Sequence, residues 1–176
     1  MGRHVALLRA VNVGGRKLPM AELRALCERI GWTEVSTYIQ SGNVVFSAAA
    51  KSAALEATLE QAIADEFGLD VPVIVRSAAQ WAGYPRGNPF AEPAEKEPNR
   101  VMLLLAKSPP AAGAEAAIQA RAKDGEQVRR AGDALWIHFP HGSGRSKLTP
   151  ALIDRAVGSP ATSRNYRTVL KIEEML

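Results

Sequence analysis

The chain is poor in cysteine and in long hydrophobic runs, and each scarcity excludes a class of protein. Its single cysteine, Cys27, cannot form a disulfide within the chain, which is typical of a reducing compartment. The longest apolar runs are too short to span a membrane. Arg9 interrupts the amino-terminal apolar stretch too early for a signal peptide. We therefore expect a cytoplasmic protein with no membrane partner.

Metal ligands and catalytic motifs are also scarce. His4, His138 and His141 lack the paired spacing of a metal site, so we expect no metal. Ser143 lies between two glycines, but the serine elbow of α/β-hydrolases is absent. A complete phosphate-binding P-loop and a three-glycine dinucleotide fingerprint are absent too. The sequence therefore identifies no catalytic residue, reaction or cofactor.

Aromatic residues make up only 6% of the chain and are not interleaved with the cations. Proteins that bind single-stranded nucleic acid usually stack bases on aromatic rings beside basic side chains. We expect Trp32, Trp81 and Trp136 to pack in or beside the core instead. This pattern makes nucleic-acid binding, which the net charge of +4 allows, the second interpretation rather than the first.

The positive charge is concentrated towards the two ends of the chain. Residues 1–40 carry six Lys or Arg against three Glu, and residues 141–171 carry six against one Asp. The remaining residues are net negative. The same two regions hold polar, glycine-bearing loops, so the pattern indicates anion binding rather than an even basic coat.

Hydrophobic periodicity predicts an α+β fold of two related ferredoxin-like strand–helix–strand–strand–helix halves with antiparallel sheets. The first half has predicted strands at 4–9, 35–39, 44–46 and 71–76 and helices at 19–30 and 52–67. The second has strands at 101–106, 127–130 and 135–139 and helices at 110–123 and 149–157. A C-terminal helix is predicted to open at Ser163.

Proline-rich residues 84–99 are typical of a connector. The predicted organisation is a first half at 1–83, this connector, and a second half with the C-terminal helix at 100–176. We expect the two halves to form one compact unit.

The strongest candidate site is a glycine-bearing loop between the first strand and the first helix. Gly14 and Gly15 let backbone N–H groups turn outward, and Arg16 and Lys17 add two cations beside a helix start. The alternative is a flexible connection. Because strands one and three are neighbours in a ferredoxin-like sheet, we expect this loop to lie beside the hairpin turn at residues 40–43.

That turn presents Gln40 and Asn43, whose amides could contact a ligand or merely stabilise the hairpin. A second basic loop, at 140–147, also runs into a helix, and Arg164 and Arg167 would lie one turn apart on the last helix. The candidate ligand-binding residues are Arg9, Asn12, Gly14, Gly15, Arg16, Lys17, Gln40, Ser41, Asn43, Arg145, Ser146, Lys147, Arg164 and Asn165.

Several motifs resemble a bacterial family catalogued as domain of unknown function 1697. They are LLRAVNVGG at 7–15, MAELR at 20–24, TYIQSGNVVF at 37–46, VRS at 75–77, NPF at 88–90, GRSKL at 144–148 and RN at 164–165. The resemblance implies a cytoplasmic α+β protein of two related halves, and no particular activity. This chain departs from the family pattern at two places. Members often have Gly at the position of Ala10, so the alanine implies no need for a left-handed backbone there. Members also often have Trp-Asn where this chain has Tyr166-Arg167.

From these observations we expect a cleft that binds a phosphorylated or carboxylated small molecule, such as a nucleotide. The two basic regions would form its walls, with Arg16 and Arg145 facing one recess. The alternatives are a nucleic-acid-binding module and a non-enzymatic, partner-binding protein whose polar loops only stabilise turns.

Overall fold

Two four-stranded antiparallel sheets organise the chain in the computed structural model, which describes all 176 residues. The chain divides into two units. Unit 1 comprises Met1–Trp81 and Ile172–Leu176, and unit 2 comprises Ala82–Lys171. None of the helices is both long enough and apolar enough to cross a bilayer.

Unit 1 has the strand order β2-β3-β1-β4, which is the ferredoxin-like topology predicted from the sequence. Its elements are β1 (Gly2–Leu8), α1 (Met20–Arg29), β2 (Thr33–Tyr38), β3 (Asn43–Ala48), α2 (Ser52–Phe67), β4 (Val73–Ser77) and α3 (Ala78–Trp81). Pro72 precedes the edge strand β4, where its lack of a backbone N–H removes no hydrogen bond between strands.

The core of unit 1 forms where the apolar stripes of its two main helices meet one face of the sheet. Leu23 and Leu26 of α1, and Leu59 and Ile63 of α2, are buried against strand residues that include Phe46. The helical spacing of these residues puts them on one face of each helix. This packing fixes the sheet edge from which the polar loops emerge.

A capping box opens α3. The Gln80 backbone N–H donates to the Ser77 hydroxyl at 3.2 Å, and the Ser77 N–H donates to the Gln80 side-chain oxygen at 2.9 Å. Each side chain thus satisfies a backbone donor of the other residue.

Unit 2 repeats the topology with the order β6-β7-β5-β8. Its elements are α4 (Gly83–Arg86), α5 (Ala91–Lys96), β5 (Val101–Ala106), α6 (Ala114–Gln119), β6 (Gln127–Ala131), β7 (Ala134–His138), α7 (Pro150–Val157) and β8 (Ala161–Asn165). Helix α8 (Tyr166–Met175) runs from unit 2 into unit 1. Residues 84–99, expected as a connector, belong to unit 2 and carry α4 and α5, with Tyr84 and Phe90 buried.

The predicted start of the last helix at Ser163 is wrong. Residues 161–165 form strand β8, which pairs with β5 and places Arg164 opposite Leu103. The helix begins at Tyr166, where the Thr168 N–H donates to the Asn165 side chain at 2.9 Å. The hydroxyls at 162 and 163 suggested a helix cap, but pairing satisfies the otherwise open edge of β5. Helix α6 is likewise shorter than predicted, beginning after the left-handed Gly113.

Candidate functional site

The two polar loops of unit 1 lie side by side, as the topology predicted. The Asn12 side-chain N–H donates to the Gln40 carbonyl at 2.7 Å, and the Leu8 N–H donates to the Gly42 carbonyl at 2.9 Å. Gly42 has a φ of +83°, and a Cβ there would lie 2.8 Å from the Leu8 Cβ. Only glycine therefore allows this turn to pack so closely on β1.

Of the two candidate amides, Asn12 joins the loops and Asn43 stabilises the hairpin turn. The Asn12 oxygen accepts from the Leu18 N–H at 2.9 Å, while its nitrogen donates to the carbonyls of Leu18 and Gln40. Asn43 is fully buried and donates to the Tyr38 carbonyl at 2.8 Å and to the Ser41 hydroxyl at 3.1 Å. In unit 1 these side chains stabilise the turn, and Asn43 does not face solvent.

The backbone of these loops is left-handed at unusual residues. Ala10, Asn12 and Ile39 have φ values of +54°, +56° and +52°, beside Gly14 and Gly15 at +58° and +84°. Asparagine tolerates this region, but alanine and above all a β-branched isoleucine do not. The expectation that Ala10 removes the need for a left-handed backbone is therefore wrong.

The basic side chains of this loop differ in how exposed they are and in whether they are hydrogen-bonded within the protein. The half-buried Arg16 guanidinium donates to the Asp70 carbonyl, and the half-buried Arg9 is also engaged. Gly14, Gly15, Lys17 and Gln40 are exposed. Unit 1 therefore brings the predicted loops together and leaves one exposed cation, Lys17, beside exposed glycines.

The second basic loop of the sequence lies in unit 2, between β7 and α7. Arg145 ends a short 3₁₀ turn and is exposed, as is Lys147. The Ser146 hydroxyl donates to the Glu126 carboxylate and accepts from the Leu148 N–H at 3.1 Å. Ser146 therefore joins this loop to the turn before β6.

Arg164 and Asn165 do not form the start of a helix. Arg164 is buried on β8 and donates to the Thr162 hydroxyl at 2.8 Å and the Ser163 carbonyl at 2.9 Å. Burial away from water lowers the pKa of its guanidinium to about 10. Arg164 and Arg167 lie on different elements, so the expected pair one helical turn apart is wrong.

Unit 2 contains a cavity of about 820 Å³ at α6, the turn that follows it, and α7. Four cationic side chains line it: Arg121, Lys123, Lys147 and Arg155. None of these side chains makes an ion pair or hydrogen bond within the protein, and no carboxylate lines the cavity. We call these four residues the cation cluster. Such an arrangement attracts an anion, with which no acidic side chain of the lining competes.

Sequence reasoning identified only Lys147 of this cluster. Arg121 and Lys123 lie in the middle region of the chain, whose net charge is negative, and Arg155 lies within a helix. The one sequence signal that could have pointed to Arg155 was its four-residue spacing from Ala151, which places both residues on the same face of α7. Nothing in the sequence indicated that this face meets the turn after α6.

Buried Glu126 organises the cavity without lining it. Its carboxylate accepts from the backbone N–H groups of Lys123 and Asp124, at 3.1 and 2.8 Å, and from Ser146. Burial alone would raise its pKa, but these hydrogen bonds to the charged form outweigh it and lower the pKa. Glu126 thereby ties the turn that carries Lys123 to the loop that carries Lys147.

The uncharged part of the lining is mostly apolar. Ala117 of α6 and Ala151, Leu152 and Ala156 of α7 contribute to it. The fifth uncharged residue, Thr149, caps α7, since its hydroxyl oxygen accepts from the Leu152 N–H at 3.3 Å. Three of the four apolar residues are alanines, whose short side chains leave the space open.

Structural roles are found for Cys27, His138 and the three tryptophans, and the burial of the tryptophans confirms the expectation from the sequence. Cys27 is fully buried, and burial raises the pKa of its thiol to about 12, so it is an unreactive core residue. All three tryptophans are buried. The His138 ring packs against Phe90 with centroids 5.8 Å apart.

The sequence and the fold each have relatives. The family described as "Protein of unknown function (DUF1697)" matches residues 1–136. The solved structure of the conserved bacterial protein SP0830 from Streptococcus pneumoniae is 25% identical, with a TM-score of 0.75, and covers 99% of this chain and 98% of that chain. No curated protein matches the chain. Because the family match extends over most of the sequence, the chain belongs to the DUF1697 family of proteins of unknown function.

Proposed function

We propose that unit 2 binds a small phosphorylated or carboxylated molecule in its cavity. The observation that supports this most directly is the cation cluster, four positive side chains around one space whose lining contains no carboxylate. Cations placed together repel one another, and a bound anion relieves that repulsion while forming charge-assisted hydrogen bonds. A purely structural surface would gain from carboxylates at these positions instead.

The size of the cavity fits a small molecule better than a bare ion. Ligand pockets of soluble proteins usually enclose roughly 300–1,000 Å³, and this one encloses about 820 Å³. The cluster residues are exposed, so salt should weaken the interaction.

Thermal unfolding in the presence of inorganic phosphate, glucose 6-phosphate, AMP and citrate tests this proposal. A ligand at about one hundred times its dissociation constant should add about 2.7 kcal/mol to the free energy of unfolding. We expect Lys147→Gln and Arg155→Gln to weaken binding at least fivefold. Arg86→Gln, which removes an exposed cation elsewhere in unit 2, should not weaken it.

Two results would contradict the proposal: no stabilisation by any of the four anions, or equal stabilisation of the Lys147, Arg155 and Arg86 variants.

A short DNA duplex tests the alternative class, a nucleic-acid-binding module. Nucleic-acid binding would show affinity that falls steeply with salt and depends little on any one cation. Lys17→Gln tests the loop of unit 1. If this variant lost as much anion affinity as Lys147→Gln, Lys17 would also have to contact the bound anion.

A further inference from the structure

We infer that the ligand of this cavity carries a hydrocarbon body beside its anionic group, as an alkyl phosphate or a fatty carboxylate does. This inference rests on the proposed anion site. It concerns the part of the lining that is not charged, which consists of Ala117, Ala151, Leu152, Ala156 and Thr149. The charges of the cluster explain how an anion is held, and these residues decide what else fits.

The uncharged part of the lining offers almost no hydrogen-bonding group to a sugar or a nucleobase. It contains no Asn, Gln, Asp, Glu or His, and its one uncharged hydroxyl oxygen, on Thr149, already accepts from the backbone of α7. Hydroxyl or amide groups of a ligand that were buried against alanine would lose their hydrogen bonds to water. Each such loss costs roughly tenfold in affinity. The chemistry of the lining therefore disfavours a polar ligand body.

A hydrocarbon body gains from the same surface. Ala151 and Arg155 lie four residues apart on α7, and Leu152 and Ala156 do the same, so an apolar strip runs beside a cation on one helix face. The methylene stems of Arg121 and Lys123 can extend this apolar contact. Burying one methylene group is worth about a fourfold gain in affinity. A short alkyl chain is therefore enough to dominate selectivity.

A homologous series of ligands tests the inference on the full-length protein. Calorimetric titrations would compare inorganic, methyl, butyl and hexyl phosphate with glucose 6-phosphate, each below its micellar concentration. We expect hexyl phosphate to bind at least thirtyfold more tightly than methyl phosphate, and glucose 6-phosphate to gain nothing over methyl phosphate.

Cavity-filling variants show where the chain binds. Ala117→Leu and Ala151→Leu should remove most of the gain with chain length, because both positions line the cavity and are exposed, so folding tolerates them. Ala116→Leu, at an exposed position of α6 outside the lining, is the matched control and should keep the gain. Thermal unfolding of each variant without ligand checks that all are folded.

The outcomes separate the inference from the proposed function. If all phosphates bind equally and still require Lys147, the anion site stands and the hydrocarbon body is disproved. If chain length matters but Ala117→Leu and Ala151→Leu have no effect, the inference is also wrong. If no phosphate in the series binds, the inference is wrong, and the proposed anion site fails as well if citrate also gives no stabilisation. Co-sedimentation with phosphatidic acid vesicles identifies the source: binding lost in Ala117→Leu indicates a membrane lipid, and binding only to soluble alkyl phosphates indicates a free metabolite.

Discussion

Single residues hold the polar loop of unit 1 in a backbone conformation that most side chains disfavour. Ala10 has a φ of +54°, and the chain around it is fixed by an Arg9 N–H bond to the Pro72 carbonyl at 3.0 Å and by the Asn12 side chain. For a residue with a Cβ, the left-handed region costs roughly 1–2 kcal/mol. The surrounding hydrogen bonds therefore impose a conformation that the alanine itself resists.

Replacing Ala10 with glycine should stabilise the protein. Removing the Cβ relieves the left-handed strain, although glycine gains some entropy in the unfolded chain, so we expect a net gain of about 0.5–1 kcal/mol. Urea denaturation measures it. Ala21→Gly, at an exposed position of α1, is the control and should lose about 1 kcal/mol. Equal losses in both variants would show that Ala10 is not strained.

At the scale of elements, helix side chains cap one open edge of each sheet. In unit 1 the N–H groups of Val73 and Val75 on edge strand β4 donate to Glu60 and Glu56 of α2, at 2.8 and 2.9 Å. These N–H groups point away from β1 because they alternate along the strand. An unpaired edge invites pairing with another chain. The carboxylates of α2 occupy the donors that such pairing would use.

Unit 2 uses the same device on a different strand. The N–H groups of Val128 and Arg130 on edge strand β6 donate to Gln119 and Glu115 of α6, at 2.8 and 2.6 Å. Both edges are therefore satisfied by side chains that are spaced four residues apart on one helix.

Glu60→Ala should uncover the edge of β4. We expect a loss of about 1 kcal/mol in the free energy of unfolding, because the Val73 N–H loses its partner. We also expect self-association that rises with protein concentration in sedimentation velocity. Glu60→Gln keeps an acceptor oxygen and should remain close to the wild type. A monomeric, fully stable Glu60→Ala variant would show that the cap has no protective role.

At the scale of the whole molecule, each unit contains a histidine whose pKa is lowered by burial. Burial lowers the pKa of His4 in unit 1, and this effect is larger than the opposite effect of a hydrogen bond to the Ala48 backbone, which raises the pKa. Burial also lowers the pKa of His138 in unit 2, where Glu97 raises it and Arg100 lowers it. The unfolded chain therefore binds protons on these histidines more readily than the folded protein does.

The stability of the protein should consequently fall in mild acid. The unfolded histidine value is 6.5, so this contribution is fully present above that pH and is lost as the pH falls from there towards the lowered folded values. Thermal unfolding between about pH 7.5 and about pH 5.5 measures the loss. His138→Gln should flatten the profile, and His141→Gln, at an exposed position, should not. A flat wild-type profile would contradict this account.

The strands and helices that sequence patterns predicted are those with a local signal. The alternation and helical spacing of apolar residues located both sheets, and Gly68, Gly132 and Gly158 marked the ends of elements at left-handed positions. Strand β8 carries no such signal, since its polar sequence resembles a helix cap and becomes a strand only because β5 offers an edge. Pairing across the sheet outweighed the local preference.

The sequence by itself determined the ferredoxin-like topology of unit 1, three of the four strands of unit 2, and the meeting of the two polar loops in unit 1, because apolar periodicity is a local signal and a known topology fixes which loops share a sheet edge. The tertiary structure decided which polar groups are free. Asn43 and Ser146 are engaged within the protein, while Arg121 and Lys123 join Lys147 and Arg155 around one cavity. Side chains from separate segments acquire a shared site only when packing brings those segments together, and no pattern along the chain records that distance.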